Sequence, residues 1–271
     1  MRRVTWLLSL ALLSGCAAEQ AAAPAPTKGP DPRPRMEQIK ADCMKQKGFK
    51  YIAFVSPEQP KPDLSTYEAI KVYRQKYGFG VFAQYVYPKD PLSGSIESSP
   101  DHGDPNHELV WKLNDRQLAS YNKAKDSCYQ KAAKEVLNKE VGSKLKGVIL
   151  LRDARKQLEA AEIDGDTELV GLASAFADCL VRKGQRMSTT KPTALAKRGE
   201  NQFFDEADKL GKAPNEPLDL TPAQARPYLD REVKAAMEDL ECGKDFYTRF
   251  APKQASINTR VWAEYGPLLG R

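Results

Sequence analysis

Ala41-Asp42-Cys43-Met44-Lys45-Gln46-Lys47-Gly48 and Ala177-Asp178-Cys179-Leu180-Val181-Arg182-Lys183-Gly184 are two versions of one octapeptide, identical at five of eight positions. Each sets a cysteine in a helical pattern and closes on Lys-Gly, where a left-handed cap can stop a helix. Each is followed many residues later by a second helical cysteine in a charged setting, Cys128 in KDSCYQK and Cys242 in DLECGKD. The simplest reading is a duplicated unit, each copy closed by its own bridge, Cys43 to Cys128 and Cys179 to Cys242. Four cysteines allow three pairings, and the internal echo selects this one. A thiolate metal site is the weaker reading, because no pair has the short CxxC spacing of zinc sites.

Working outward from the echoes, the apolar residues recur mostly with helical period. Met36, Ile39 and Cys43 share one face of a helix that Gly48 can end. Ser65-Thr66-Tyr67-Glu68 reads as a capping box opening a helix to about Tyr77, and Asn114 with Gln117 marks another, whose face carries Leu118, Tyr121, Cys128, Ala132 and Val136. Val148, Leu151, Ala154, Leu158 and Ala161 make a second stripe, and Leu169, Leu172, Phe176 and Leu180 a third. A helix is expected around Phe203 to Leu210, then a proline-rich turn from Pro214 to Pro222. A final long helix carries Leu229, Val233, Ala236, Leu240, Tyr247 and Phe250, and Pro252 interrupts it before a closing segment near Val261 to Leu269. Strand character is confined to Phe49 to Val55, which alternates, and to VFAQYVY at 81–87, which reads as a strand or a packed loop. The expected fold is mainly α: a disulfide-stapled helical bundle of two repeated helical units, 36–164 and 165–271. At most a small β element is expected near residues 49–87, and 88–107, rich in Pro, Gly, Ser and Asp, reads as an exposed loop.

Composition sets the class. Apolar residues make up 41% of the chain, enough for a core, while 42 basic and 36 acidic side chains are interspersed throughout, so the net charge of +6 speaks to solubility. There is no basic stripe, RNA-binding aromatic motif or zinc-finger spacing, so nucleic acid is not an expected partner and no cofactor is expected.

The N-terminus has three zones: Arg2 and Arg3, an apolar run from Val4 to Leu13, then Ser14, Gly15 and Cys16. About ten apolar residues enter an export channel but are too few to span a bilayer, so 1–15 reads as a signal peptide. Leu13-Ser14-Gly15-Cys16 resembles the lipobox of bacterial lipoproteins. The resemblance implies a thioether-linked diacylglycerol on Cys16, cleavage in front of it, and the membrane as a partner through that anchor. Two acyl chains on one residue give essentially permanent attachment. Residues 16–35 carry prolines at 24, 26, 30, 32 and 34 and no large apolar residue, which reads as a solvated tether of roughly 50 Å reach. The expected address is extracytoplasmic, anchored to the bacterial cell membrane by lipid. The four remaining cysteines suit that oxidising setting.

DCMKQKGFKY, KYGFG, DPN ahead of a long helix with a cysteine, DCLVRKG and a late EDLEC follow one another in this chain. This order resembles a group of uncharacterised actinobacterial secreted proteins and lipoproteins, with a Cys-Met-x-x-x-Gly-Phe-x-Tyr start and a Tyr-Gly-Phe/Tyr-Gly segment. The resemblance covers most of the chain after Pro34. It implies export and paired cysteines, and it carries over no catalytic residue.

Several sites invite a functional reading and a plainer one. His102 and His107 share a loop with Asp101, Asp104 and Glu108, a weak candidate for a divalent ion, but the spacing matches no defined motif and a solvated loop is simpler. Glu162, Asp164, Asp166 and Glu168 alternate around Gly165 without EF-hand offsets, so a turn with Asp166 capping the next helix is the better reading. Residues 49–87 hold ten of the 23 aromatic side chains. Tyr51, Tyr77, Phe79, Tyr85 and Tyr87 are the candidate contact surface for an envelope protein or glycan, against the plainer reading of core packing. The glycines of KYGFG fit a tight turn better than a phosphate cradle. No GxSxG elbow is present, and a carboxylate pair for glycoside hydrolysis is open to any two of 36 acids that meet in space. The leading expectation is a non-catalytic, membrane-tethered envelope protein that binds a partner. The alternative is a cell-wall-directed hydrolase using acids or a metal at His102 and His107.

Overall fold

The first helix starts where the tether was expected to continue. A computed structural model describes residues 31–58, 60–95, 103–211 and 218–269, and in it α1 runs Arg33–Gln46 with Pro32 as its N-cap residue and Pro34 in its first turn. Proline costs little there, because the first-turn N–H groups have no intrahelical partner and its fixed φ is already helical. Residues 32–35 are therefore helix start rather than tether. Cys16 and residues 1–15, expected as a signal peptide, lie outside the described residues.

The chain is mainly α, stapled by two disulfides, and among the described residues there is no β-strand. α1 lies along α5 (Asp115–Leu137), and the Cys43–Cys128 bridge joins them with Cα atoms 5.5 Å apart. α7 (Thr167–Arg182) is joined to α10 (Pro222–Cys242) by Cys179–Cys242, again at 5.5 Å. The two echoes also end alike. Gly48 sits at φ +81°, its N–H donates to the Lys45 carbonyl, and the Phe49 N–H reaches back to Met44 at 2.9 Å. Gly184 sits at φ +82°, with its N–H on Val181 and the Gln185 N–H on Leu180 at 3.0 Å. Both are Schellman caps, which need the freedom of glycine at positive φ. The residue after each glycine goes a different way: Phe49 packs on Tyr121 beside the first bridge, whereas Gln185 opens onto the surface.

Pro32–Arg271 forms one compact unit, and the expected division at 164/165 falls inside it, at a π-helical turn (Ala160–Asp164). α2 (Tyr67–Tyr77) packs on α10, and α11 (Lys244–Tyr265) packs on α6 (Lys144–Glu159) and α7. The largest core joins Leu151, Ile163, Leu169, Phe176 and Leu180 to Leu240, Phe246 and Ile257. A second core holds Tyr77, Val81, Phe82, Phe203, Ala225 and Leu229, from α2, α3 (Ala83–Val86), α9 (Arg198–Leu210), α10 and the turn after α2.

Several boundaries differ from the sequence reading. Residues 49–55 form no strand: Asn106, at the start of α4 (Asn106–Trp111), bonds both the N–H and the carbonyl of Ile52 with its side-chain amide, taking the place of a ladder neighbour. The run 81–87 is neither strand nor loop but contains the one-turn α3. The cap of α2 is Thr66 rather than Ser65, its side chain accepting the Ala69 N–H. Asn114 and Gln117 form the expected reciprocal capping box. The 88–107 segment is pinned where it is described, since Ser93, Ser95 and Asn106 are buried. Val148 stands 44% exposed, outside the core its stripe predicted. The last long helix breaks at Gly243, and Pro252 lies within α11. A Cβ on Gly243 would meet the Tyr247 ring at 2.9 Å, so the residue suits a sharp helix-to-helix turn.

Candidate functional site

KYGFG is built around an acid from the other half of the chain. Glu232 of α10 is 0% exposed, and its carboxylate accepts the N–H groups of Val81 and Phe82, each at 2.9 Å. Burial pushes this carboxyl above the ordinary glutamate range, and backbone N–H groups from Val81, Phe82, Phe79 and Gly80 pull it back. Gly78 at φ +62° and Gly80 at φ +101° turn the backbone so that these donors converge. A Cβ on Gly78 would stand 2.7 Å from Glu232 Cγ. The segment does cradle an anion, but one supplied by the protein itself.

The five aromatic residues expected as a contact surface do not form one exposed face. Tyr77 is buried in the second core and donates its hydroxyl to Asp90 at 2.8 Å. Phe79, Tyr85 and Tyr87 pack on the same core half-buried, Phe79 against Phe203 and Tyr87 against Tyr77. Tyr51 sits apart beside the first disulfide, its hydroxyl donating to Glu37 at 2.7 Å and Lys40 over its ring. Burial, with the Glu37 charge second, holds the Tyr51 hydroxyl far above the usual tyrosine range. Tyr77, Phe79, Tyr85 and Tyr87 carry large apolar areas that packing on the core of α9 and α10 removes from water, and that burial outweighs a solvent-facing arrangement.

Beneath the second disulfide lies a charged network the sequence reading missed. Arg74 of α2 donates from Nη1 to Asp239 Oδ1 at 2.6 Å and from Nη2 to the Tyr247 hydroxyl at 3.0 Å; Tyr247 in turn donates to Asp239 Oδ1 at 2.8 Å. The guanidinium is sandwiched between the Phe79 and Tyr247 rings, 4.8 and 4.7 Å from their centroids. Asp239 also meets Arg198 of α9, whose Nη2 donates to Oδ2 at 3.4 Å. The signal was present in the pattern. Ala225, Leu229, Glu232, Ala236 and Asp239 recur every three or four residues, so two acids stand on the buried stripe of α10, and Arg74 stands on that of α2 between Ile70 and Tyr77. A charge on a core stripe needs a partner, and these partner one another or the backbone.

Arg198 is also part of the wall of an open cleft of about 610 Å³, within the usual size of small-molecule sites. One wall is the loop after α7, Gly184 to Thr189, and the other is α8 (Pro192–Ala196) with α9. Leu195 and Met187 give it apolar ground, while Arg186, Arg198, Asn201, Gln202 and Asp205 give it polar groups. The loop is held by the Gly184 cap, the Cys179–Cys242 bridge and Lys183, which bonds Glu241 at 2.5 Å. This cleft is the candidate functional site.

Among the described residues, the histidine and acidic candidates do not assemble, and Asp101 lies outside them. His102 lies outside the described residues, His107 is exposed on α4, and Asp104 spends its carboxylate on the backbone and side-chain N–H groups of Asn106. No cluster of three ligating side chains occurs among the described residues. The four alternating acids each turn to a separate partner: Glu162 to Arg260, Asp164 to Thr193 and Lys191, Asp166 to the α7 N-terminus and Lys253, Glu168 to Arg249. The pairing with Arg260 holds the Glu162 carboxyl below its usual range, and Lys253 does the same for Asp166.

In comparisons with known proteins, no family model matches this chain, and no curated protein or solved structure matches it significantly. No helix among the described residues is long and apolar enough to cross a membrane.

Proposed function

We propose that this protein is a non-catalytic binding protein of the bacterial cell envelope, held to the membrane by lipid on Cys16, with the 184–205 cleft as its binding site. The observation that carries the address is the fate of the other four cysteines: all are paired in disulfides, as an oxidising compartment outside the cytoplasm allows. The LSGC segment at 13–16 supplies a means of anchoring that needs no membrane-spanning helix. The cleft takes the binding role in this reading because the five aromatic rings present no single exposed face: Tyr77 is buried, Phe79, Tyr85 and Tyr87 pack half-buried around it, and Tyr51 stands apart.

Fractionation of cells producing the full chain tests the address. The parent protein is expected in the membrane fraction, resistant to salt extraction, and Cys16→Ala in the soluble or unprocessed exported pool. A parent protein whose mature N-terminus carries no acyl group by mass spectrometry, or a Cys16→Ala variant cleaved in front of residue 16 like the parent and still membrane-bound, sinks the anchoring reading.

A further inference from the structure

We infer that the 184–205 cleft binds an anion, a carboxylate or phosphate group carried on a polar, hydrogen-bonding body. The inference rests on reading the cleft as a binding site and adds the class of its ligand. Two guanidinium groups, Arg186 and Arg198, line the cleft against a single carboxylate, Asp205. Arg198 is underemployed. Its Nη1 donates to Gln202 at 3.2 Å, its Nη2 makes only the 3.4 Å contact with Asp239, and its buried Nε has no hydrogen-bond partner among the described residues. Asp239 is committed elsewhere: it is 1% exposed, and its Oδ1 already takes Arg74 and Tyr247 at 2.6 and 2.8 Å. One buried aspartate is thus shared by two arginines, and Arg198 has the longer and weaker of the two contacts. Glu200 supplies a second carboxylate to this network, acting on Arg74 and Lys197 rather than lining the cleft.

A guanidinium keeps its charge in any protein and presents a planar fork of donors, which matches the paired oxygens of a carboxylate or phosphate. Asn201 and Gln202 on α9, with Ser188 and Thr189 on the loop, add amide and hydroxyl groups that would hold the polar body of the ligand. The site is preorganised, since the disulfide and the Gly184 cap fix one wall and the core contacts of Leu195 and Phe203 fix the other.

The test is titration calorimetry on the oxidised, full-length protein at low ionic strength, with inorganic phosphate, galacturonate and neutral galactose as probes. At least one anion is expected to bind about tenfold or more tightly than galactose; phosphate alone marks a phosphate ester as the source, and galacturonate alone an acidic sugar or other carboxylate. Arg198 variants disturb Asp239 and the core, so the decisive variant is Arg186→Gln, whose parent side chain is exposed. It should weaken the bound anion about tenfold while leaving the melting temperature unchanged. Equal binding of anions and galactose, no binding at all, or undiminished binding by Arg186→Gln overturns the inference. Capture of an envelope partner that survives Arg186→Gln would leave the binding-protein reading standing and remove only the ligand class, so the two failures are distinguishable.

Discussion

Glu232 is kept in the core by turning the backbone toward it, and Gly78 is the residue that permits the turn. A side chain at Gly78 meets two obstacles at once, φ of +62° and a Cβ position 2.7 Å from Glu232 Cγ. Gly78→Ala is therefore expected to destabilise the protein by about 1–3 kcal/mol, read as a shift of the denaturation midpoint at constant slope. An unchanged midpoint would show that the turn is not strained by a side chain. Asp90 acts at the surface end of the same region, where it accepts from Lys76 at 2.7 Å, Tyr77 at 2.8 Å and the Leu92 N–H at 3.0 Å. The hydrogen bond from Lys76, with those of Tyr77 and Leu92 behind it, lowers its carboxyl below the ordinary value of 3.8. A depressed carboxyl stabilises the fold above its unfolded value, and that stabilisation is lost as pH falls through the folded one. Asp90→Asn should lower the melting temperature by about one to three degrees at neutral pH, and the gap should close on acidification below the aspartate range. A gap that persists at acid pH contradicts this assignment. Residues of this kind were only half legible: KYGFG stood out as a turn, but what it encloses arrives from 150 residues away, and no local pattern names that partner.

At the scale of elements, legibility followed the strength of the periodic signal. The stripe of α7, the N-cap of α2 to within a residue and the capping box of α5 were readable, because an N-cap side chain satisfies specific donors and cannot be moved without loss; the box expected at Ser65 and Glu68 does not form, since Thr66 is the cap and Ala69 cannot return its hydrogen bond. The α10–α11 break was misread. Proline attracts attention as a breaker, yet Pro252 is accommodated in α11, while the plain residue Gly243 ends α10, where Cys242 is tied to Cys179. Residues 49–55 show the opposite error: alternation suggested a strand, but a strand needs a neighbour, and here the side chain of Asn106 meets, of that run, only the backbone groups of Ile52. The two staples belong to this scale as well. They close stretches 85 and 63 residues apart in sequence. In the chain-entropy account each is worth roughly 4–5 kcal/mol, several times a typical helix cap. That difference explains why an echo of eight residues was a better guide to the fold than any single helix boundary.

Taken whole, the molecule is one helical body in which the repeated motif is not repeated as a separate package: α2 from the first half packs on α10 from the second, and Arg74 reaches Asp239 across 165 residues. The candidate site follows from that interlocking, since the cleft lies beside the second staple and its Arg198 leans on the same aspartate. From the sequence alone the cleft was invisible, because its two walls are a loop and a helix face whose side chains are individually ordinary surface polar groups. Two independent bridges hold this body together, and peptide mapping by mass spectrometry reads them out. Protein isolated without reductant and with free thiols blocked, then digested, should yield linked peptides joining Cys43 to Cys128 and Cys179 to Cys242, with none of these four cysteines carrying the blocking group. Recovery of the four as blocked thiols, or of Cys43 linked to Cys179 or Cys242, would contradict it.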